Sequence, residues 1–192
     1  MKLLFASSNA YKIAEIRGIL PLGFQLISLK EIHFHDEIPE TEDTIEGNAI
    51  QKATFLADKM NIPCFADDTG LIIPSLNNEP GVFSARYAGE QRNPDDNMDL
   101  VLEKLSTQTD RSAHFTTVIA LYIHHKVHVF EGRIDGTIIH EKRGTQGFGY
   151  DPIFLPDGSD KTFAEMSVEE KNAMSHRAKA LEKMMVYLKR IG

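Results

Sequence analysis

The chain has 192 residues, a length that suits one domain. Hydrophobic residues make up 42% of it and charged residues 26%, which is typical of an ordinary globular protein and argues against disorder. The formal net charge of −7 disfavours binding to nucleic acids or to anionic membranes, because both attract basic surfaces.

The cysteine content and the first residues indicate a cellular location. Cys64 is the only cysteine, so nothing in the chain points to disulfides or to an oxidising compartment. Residues 1–7 contain too few consecutive apolar side chains for a signal peptide or a membrane span. We therefore expect a cytoplasmic protein without a membrane partner.

The first part of the chain alternates between strand and helix patterns. Residues 2–6 predict a buried strand, and residues 10–20 predict a helix because apolar side chains recur at helical spacing. The polar loop Ser7-Ser8-Asn9 lies between them, and residues 24–29 predict a second strand. This order is a strand, a polar loop, a helix and a strand.

A longer helix is predicted from Thr44 to Met60, after an acidic segment at residues 37–43. Its apolar positions share one face and are Ile45, Ala49, Ala53, Leu56 and Met60. Lys52 shares a different stripe with Thr44 and Asn48, so we expect it on a polar face rather than in the core.

Two adjacent carboxylates follow the apolar run at residues 62–66, in the sequence Ala66-Asp67-Asp68-Thr69-Gly70. A turn is predicted here, with the strand resuming at residues 71–73. The pair is explained either by an acidic turn or by a metal site, since two desolvated carboxylates repel each other unless a cation, a donor or a shared proton offsets the cost. Mg²⁺ is the commonest such cation because it prefers oxygen ligands.

The second half of the chain predicts further elements of both kinds. Residues 74–92 form a long connection, and a helix is predicted from Asn93, as its cap, to Leu105. Strands at residues 113–123 and 126–139 predict an antiparallel pair with a turn at His124-His125. A last helix is predicted in two parts, the first with a capping box of Ser167 and Glu170 and the second capped by Ser175. The fold class is α/β, with a mixed sheet flanked by helices.

Two segments besides the acid pair carry candidate site residues near the beginning of the chain. Ser7-Ser8-Asn9 with Lys12 offers donors at a helix N-terminus, which would attract a phosphate, although plain helix capping explains the segment too. Glu40 lies in a solvated acidic loop, and together with Asp67 and Asp68 it could supply one more oxygen to a metal ion.

Two segments near the end of the chain complete the candidates. Phe148-Gly149-Tyr150-Asp151 places aromatic side chains between glycines, a pattern that suits either stacking on a nucleobase or a tight turn with buried anchors. Lys171, His176 and Arg177 form a basic cluster that an ordinary charged helix surface would also explain.

Taken together, these segments resemble the inosine triphosphate pyrophosphatase family, whose members hydrolyse non-standard purine nucleoside triphosphates such as ITP, dITP and XTP. The resemblance extends from Ser7 to Arg177. Its motifs, in order, are Ser7-Ser8-Asn9-Ala10-Tyr11-Lys12, Glu40-Thr41 with Glu46-Gly47-Asn48-Ala49, Ala66-Asp67-Asp68-Thr69-Gly70-Leu71, Pro80-Gly81-Val82-Phe83-Ser84-Ala85-Arg86-Tyr87, Phe148-Gly149-Tyr150-Asp151-Pro152, and Lys171 with Ser175-His176-Arg177.

The resemblance implies one domain over residues 1–192 with two lobes, a cleft between them, Mg²⁺ dependence and a homodimer. It implies that Asp68 is the metal-linked general base, that Glu40 is a metal ligand and that Asp67 lies near the metal. The residues that it implies for substrate contact are Ser7, Ser8, Asn9, Ala10, Tyr11, Lys12, Thr69, Phe148, Gly149, Tyr150, Asp151, Lys171, His176 and Arg177. Departures from the family pattern are small: Ser8 stands where glycine is frequent, and Thr69 where serine is common.

Several roles follow as hypotheses. Lys12, Lys52 and Lys171 would neutralise the triphosphate and the leaving pyrophosphate. Donors from His176 or Arg177 would accept a purine with an oxygen at position 6 and reject adenine. A pyrophosphatase for modified pyrimidine nucleotides or dTTP, or a non-catalytic purine nucleotide sensor, are the alternatives.

Overall fold

The computed structural model describes residues 1–9, 12–13, 16–17 and 20–191. The chain divides into two compact units. Unit 1 consists of Met1–Asp68, Thr117–Gly132 and Lys179–Gly192, and unit 2 consists of Thr69–Thr116 and Arg133–Ala178. Across the described residues, no helix has the length and apolar character that crossing a membrane requires.

The predicted strands and helices occur in the predicted order, and the structure adds two short strands, Glu79–Pro80 and Phe154–Pro156. The strands are β1 (Lys2–Phe5), β2 (Gln25–Ser28), β3 (Cys64–Ile73), β4 (Glu79–Pro80), β5 (Ser112–Ile123), β6 (Lys126–Ile138) and β7 (Phe154–Pro156). The helices with described bounds are α1 (Ile45–Met60), α2 (Pro94–Lys104), α3 (Val168–Asn172) and α4 (His176–Ile191). Within the predicted helix at residues 10–20, the described residues 12, 13, 16 and 17 are helical, and Ala10, Tyr11 and residues 14, 15, 18 and 19 lie outside the described part.

The described strands form one mixed seven-stranded sheet. Its order is β2-β1-β3-β5-β6-β7, and β4 pairs with β3. β1 pairs in parallel with both β2 and β3, whereas the β3–β4 and β6–β7 pairs are antiparallel. His124 and His125, with φ of 50° and 59°, connect β5 to β6, and two positive φ values are typical of a tight hairpin turn. The predicted mixed sheet and hairpin are therefore confirmed.

The described helices begin at side-chain caps; those by Asn93, Ser167 and Ser175 were predicted, and the one by Thr44 was not. The side chains of Thr44 and Asn93 accept backbone N–H groups at the starts of α1 and α2. Ser167 and Glu170 form the predicted capping box of α3, and the hydroxyl of Ser175 accepts a backbone N–H in the first turn of α4 at 3.2 Å. These caps satisfy donors that a helix leaves unpaired, which explains why local sequence located them.

In unit 1, helices cover both faces of the strands. Alternate strand residues point to opposite faces, so neighbouring side chains enter different cores. One core contains α1 residues with strand residues, and its buried members include Leu4, Ala49, Ala53, Leu56, Cys64, Ala66, Val118 and Ala120. The other core contains α4 residues, and its buried members include Leu3, Phe5, Ile16, Phe65, Ile119, Leu121, Ala180, Leu181, Met184 and Leu188.

Unit 2 has its own core, in which α2 packs with strand residues. Its buried members include Leu71, Ile73, Met98, Val101, Leu105, Phe115, Ile134, Ile138, Phe154 and Phe163. Buried Arg111 supports this packing by donating to the carbonyl oxygens of Leu105, Ile138 and Ile139 at 2.8, 2.7 and 3.0 Å. One guanidinium thus joins the end of α2 to the end of β6.

The structure corrects two expectations about local geometry. The predicted turn at residues 67–70 is wrong, because β3 runs without interruption from Cys64 to Ile73. The connection at residues 74–92 is also more regular than predicted, since it contains β4 and the short 3₁₀ segments Pro74–Leu76 and Gly81–Arg86. Because Asp67 and Asp68 lie within a continuous strand and not in an exposed turn, groups elsewhere in the chain must offset their charges.

Candidate active site

The two adjacent acids of β3 are directed to opposite faces of the strand. Ala66 lies in the core that contains α1, and Phe65 lies in the core that contains α4. Strand alternation therefore directs Asp68 to the α1 side and Asp67 to the other side. Each acid meets a different lysine, Lys52 and Lys12 respectively. The predicted repulsion within the pair is thus offset by one ammonium group on each face.

Lys52 of α1 joins two carboxylates. Its Nζ donates to Oε1 of Glu40 at 2.6 Å and to Oδ1 of Asp68 at 2.8 Å. The prediction that Lys52 lies on a polar face is right for its partners but wrong for its exposure, since only 8% of its side chain is exposed. A buried ammonium requires counter-charges, and Glu40 and Asp68 supply them.

Burial and charge together shift the pKa values in this group. Burial raises the pKa of Asp68; the ammonium of Lys52 opposes this rise, and the negative charges of Glu40 and Asp67 add to it. Burial alone would lower the pKa of Lys52, but the carboxylates of Asp68 and Glu40 outweigh it and raise the pKa. Lys52 therefore stays charged, and Asp68 holds a proton more readily than an exposed aspartate.

Lys12, which is partly exposed, and buried Asp67 form a second ion pair. The Lys12 Nζ lies 2.6 Å from Oδ2 of Asp67, and the Asp67 side chain is 4% exposed. Two hydrogen bonds hold the loop before Lys12. The Asn9 amide donates to the hydroxyl of Ser7 at 3.2 Å, and the Lys12 amide donates to the Asn9 side chain at 3.3 Å. Ser8 is exposed next to these residues. The predicted substrate contacts Ala10 and Tyr11 lie outside the described residues.

Glu40 and Asp68 form a donor set that fits Mg²⁺. Their carboxylates already converge on one cation, the Lys52 ammonium. Mg²⁺ commonly takes one or two carboxylates and fills its other positions with water and phosphate oxygens. Groups of three or more His, Cys, Asp or Glu side chains suited to a metal ion do not occur among the described residues. A metal here would therefore depend on ligands from water and substrate.

Unit 2 contains the residues that were predicted from the sequence to contact the nucleobase of the substrate. Phe148 is 45% exposed, and its ring has the Lys171 Nζ at 5.0 Å and the Arg177 Cζ at 5.4 Å. Arg177 also donates from Nη2 to the hydroxyl of Thr69 at 3.3 Å. One accessible aromatic ring thus lies beside two cations, an arrangement that suits an electron-rich planar ligand.

Asp151 shapes the loop that presents Phe148. Its buried carboxylate accepts the Phe148 amide at 2.8 Å and pairs with Lys171. Gly147 has a φ of +76°, and a Cβ there would lie 2.0 Å from Oδ2 of Asp151, so only glycine fits. The φ of Gly149 is +63°, and space for a Cβ is open there. The backbone at Gly149 is therefore accessible to a ligand.

Tyr150 and His176 are buried rather than exposed beside Phe148. The Tyr150 hydroxyl donates to the carbonyl of Ser84 at 2.8 Å, which makes this side chain an anchor of the loop. The His176 ring stacks on Phe115 with centroids 4.7 Å apart, and it is 4% exposed. The two readings of the aromatic motif thus apply to different residues, an accessible ring at Phe148 and an anchor at Tyr150.

Known proteins resemble this chain over nearly its whole length. The model of the Ham1 family matches residues 3–187, which is nearly the whole chain. The chain belongs to the Ham1 family. A Flavobacterium psychrophilum protein named dITP/XTP pyrophosphatase is 53% identical over 189 residues, covering 98% of this chain and 100% of the relative. A Porphyromonas gingivalis protein of the same name is 50% identical over 188 residues, covering 97% of each.

A solved structure of the Staphylococcus aureus Ham1 protein has the same fold. It superimposes with a TM-score of 0.94 at 38% identity, covering 100% of both chains. The resemblance inferred from the motifs and the predicted α/β fold are both confirmed. The prediction of a nucleoside-triphosphate pyrophosphatase agrees with the names of the two relatives.

One site-supporting residue of this Ham1-family protein had no role in the sequence analysis. The Ser84 hydroxyl accepts the Leu71 amide at 2.9 Å, two residues beyond Thr69, while the Ser84 carbonyl accepts the Tyr150 hydroxyl. Ser84 thereby connects β3 to the loop that carries Phe148. Its place in the Pro80–Tyr87 motif was visible in the sequence, but its contact with Tyr150, 66 residues away, was not.

Proposed function

We propose that this protein hydrolyses non-standard purine nucleoside triphosphates, namely dITP, XTP and ITP, between the α- and β-phosphates. The products are the nucleoside monophosphate and pyrophosphate. The observation that carries the proposal is the buried Lys52 ammonium shared by Glu40 and Asp68, a group with both a proton acceptor and a cation for phosphate. The substrate names carried by the relatives support the choice of purines.

The group in unit 1 is assigned to the triphosphate. Lys12 and Lys52 supply positive charge, which stabilises the negative charge that develops on the departing pyrophosphate. Glu40 and Asp68 would hold Mg²⁺, which when bound neutralises phosphate oxygens and helps to orient the attacking water. The Ser7–Asn9 loop lies next to Lys12 in sequence and is assigned to phosphate contacts.

Asp68 is assigned as the general base that takes the proton of the attacking water. Burial, the largest effect, raises its pKa, so its carboxylate is a stronger base than that of an exposed aspartate. Its oxygen Oδ1 is held by Lys52 at 2.8 Å, which fixes the orientation of the carboxylate. A base of this kind must be both oriented and close to the proton that it accepts.

The group in unit 2 is assigned to the purine base. The exposed ring of Phe148 would stack on it, a contact worth about 1 to 3 kcal/mol in comparable cases. Arg177 would donate to an oxygen at position 6. Adenine carries an amino group there, so it would leave a buried donor unpaired, at a cost of about 1 to 3 kcal/mol. Lys171, which the sequence analysis assigns to the triphosphate, is assigned to this group too, and its ion pair with Asp151 and its Nζ 5.0 Å from the Phe148 ring support this choice.

We also propose a cytoplasmic homodimer, as the family resemblance implies. Light scattering after size-exclusion chromatography would give the mass of the assembly. A mass equal to one chain of 21.6 kDa at micromolar concentration would contradict the dimer.

A pyrophosphate-release assay tests the proposed activity. Purified protein with Mg²⁺ is given dITP, XTP, ITP, GTP and dTTP in parallel, and we expect dITP, XTP and ITP to be turned over fastest. Fastest turnover of dTTP would indicate a pyrimidine nucleotide pyrophosphatase instead. Tight binding of dITP without release of pyrophosphate would indicate a nucleotide sensor.

The variant Asp68→Asn tests the general base within the same assay. We expect a loss of at least about 10²-fold in kcat, since general bases contribute on that scale. Asp58→Asn is the matched control, because Asp58 is exposed on α1 and should tolerate the same change. Wild-type rates from folded Asp68→Asn protein would refute the role.

A further inference from the structure

Asp67 and Lys12 form an ion pair on one face of β3, and Asp68 meets Lys52 and Glu40 on the other face. The two groups are separate because successive side chains of a strand point to opposite faces. Phe65, two residues before Asp67, lies in the same core as Ile16, and Ile13 packs against that core. Asp67 therefore points toward the helical segment that carries Lys12. The 2.6 Å contact between Lys12 Nζ and Asp67 Oδ2 agrees with this direction.

We propose that Asp67 is a positioning residue that holds the Lys12 ammonium for the triphosphate, and that it is not a ligand of the metal. The proposal rests on the proposed function, since it assumes that Lys12 meets a phosphate. Asp67 acts through Lys12 and does not itself touch the substrate.

The geometry argues against metal ligation by Asp67. Asp68 and Glu40 meet at Lys52 on the α1 side of β3, and the next residue in a strand faces the other way. Oδ2 of Asp67 is already in contact with an ammonium, and its side chain is almost fully buried. A metal ion bound by Asp68 would lie on the α1 face of β3, and the Asp67 carboxylate lies on the opposite face.

Side-chain entropy explains why a carboxylate beside a phosphate-binding lysine is useful. A lysine side chain loses rotamer freedom when it is fixed, and this loss opposes binding. The ion pair fixes Lys12 before the nucleotide arrives, so binding does not meet that cost again. Without Asp67, Lys12 keeps its charge but loses the ion pair that orients its ammonium.

Metal binding and nucleotide turnover together test the proposal. Mn²⁺ alone, followed by electron paramagnetic resonance, gives metal affinity without nucleotide. We expect Asp67→Asn to bind Mn²⁺ as the wild type does, whereas Glu40→Gln binds it more weakly. In pyrophosphate release from dITP, Asp67→Asn and Lys12→Met should each lower kcat/KM about tenfold.

The double variant Asp67→Asn/Lys12→Met decides whether Asp67 acts through Lys12. We expect its kcat/KM to equal that of Lys12→Met, because residues that act as one unit are not additive. This comparison does not need the single Asp67→Asn variant to fold, since the double variant leaves no buried charge of the pair behind. Losses that multiply, or weaker Mn²⁺ binding by the double variant than by Lys12→Met, would overturn the proposal.

The two proposals fail in different ways. Wild-type protein that releases no pyrophosphate from dITP, XTP or ITP would contradict the proposed function. Loss of Mn²⁺ affinity in the Asp67 variants would instead show that Asp67 is a metal ligand. That result would contradict the role proposed for Asp67 but not the pyrophosphatase activity proposed for the protein.

Discussion

Replacing Lys52 by methionine should make the stability of the protein depend strongly on divalent metal. Lys52→Met keeps most of the side-chain volume but leaves Glu40 and Asp68 without their shared ammonium. Breaking a buried ion pair by removing one partner costs about 3 to 5 kcal/mol. Because the Glu40 side chain is 35% exposed and screened by water, we take the lower value, about 3 kcal/mol.

The expected change in melting temperature follows from this free energy. For a protein of this size, each kcal/mol shifts the Tm by about 2 to 4 °C, so Lys52→Met should melt about 6 to 12 °C below the wild type without metal. Mg²⁺ at 100 times its dissociation constant would return about 2.7 kcal/mol, which is most of the loss. In the wild type, Mg²⁺ must compete with the ammonium, so it should raise the Tm less.

Thermal unfolding by circular dichroism, with EDTA and with Mg²⁺, measures both effects. Lys59→Met is the matched control: Lys59 also lies on α1, but its ion pair with Asp36 is at the surface, with the side chains 44% and 64% exposed. Surface pairs contribute about 0 to 1 kcal/mol, so this variant should melt near the wild type and respond to Mg²⁺ as the wild type does. Equal Mg²⁺ shifts in the wild type and Lys52→Met would refute the idea that metal and ammonium share Glu40 and Asp68.

Three further predictions concern the core of unit 2, the contact with the nucleobase and the pH dependence of kcat/KM. Arg111→Met should lower the free energy of unfolding by about 3 kcal/mol in urea titrations, because three backbone carbonyls lose their donor; a loss below about 1 kcal/mol would contradict this account. Phe148→Ala should raise the KM for dITP roughly tenfold or more while Mn²⁺ affinity stays unchanged, and an unchanged KM would remove Phe148 from the base contacts. Since burial raises the pKa of Asp68, kcat/KM at low Mg²⁺ should begin to fall, as the pH decreases, above the pH expected for an exposed aspartate. Higher Mg²⁺ should move this fall to lower pH, and a pH profile that Mg²⁺ does not move would count against Asp68 as a metal ligand.

Helix starts were predictable from sequence because their causes are local. Thr44, Asn93 and Ser167 each cap a helix through a bond to a residue two or three positions away. Such contacts form whatever the rest of the chain does, so a short window of sequence contains the information. The same holds for the hairpin at residues 124–125, where only two residues separate long β-branched strands.

The geometry at the acid pair was not predictable in the same way. Asp-Asp-Thr-Gly has the composition of a turn, and the turn prediction failed because Lys12 and Lys52, 55 and 16 residues away in sequence, offset the two charges. The burial of Lys52 likewise depends on Glu40 and Asp68 and not on the helix that carries it. Sequence identified the candidate residues of the site, and the tertiary contacts determined which acid meets which lysine.

The charged residues assigned to the triphosphate in unit 1 have a net negative charge, as the whole chain does, and this charge affects which ligand can bind. With all members ionised, Lys12 and Lys52 bring two positive charges, while Glu40, Asp67 and Asp68 bring three negative ones. The group therefore repels a bare polyanion, which agrees with a chain whose net charge of −7 disfavours nucleic acids. One divalent cation reverses the sign of the group. A nucleotide that arrives with Mg²⁺ would thus be bound where the same nucleotide alone is not, so dITP should bind measurably in Mg²⁺ and poorly in EDTA. Equal affinity in both conditions would show that the lysines suffice and that the carboxylates do not need a metal to accept a triphosphate.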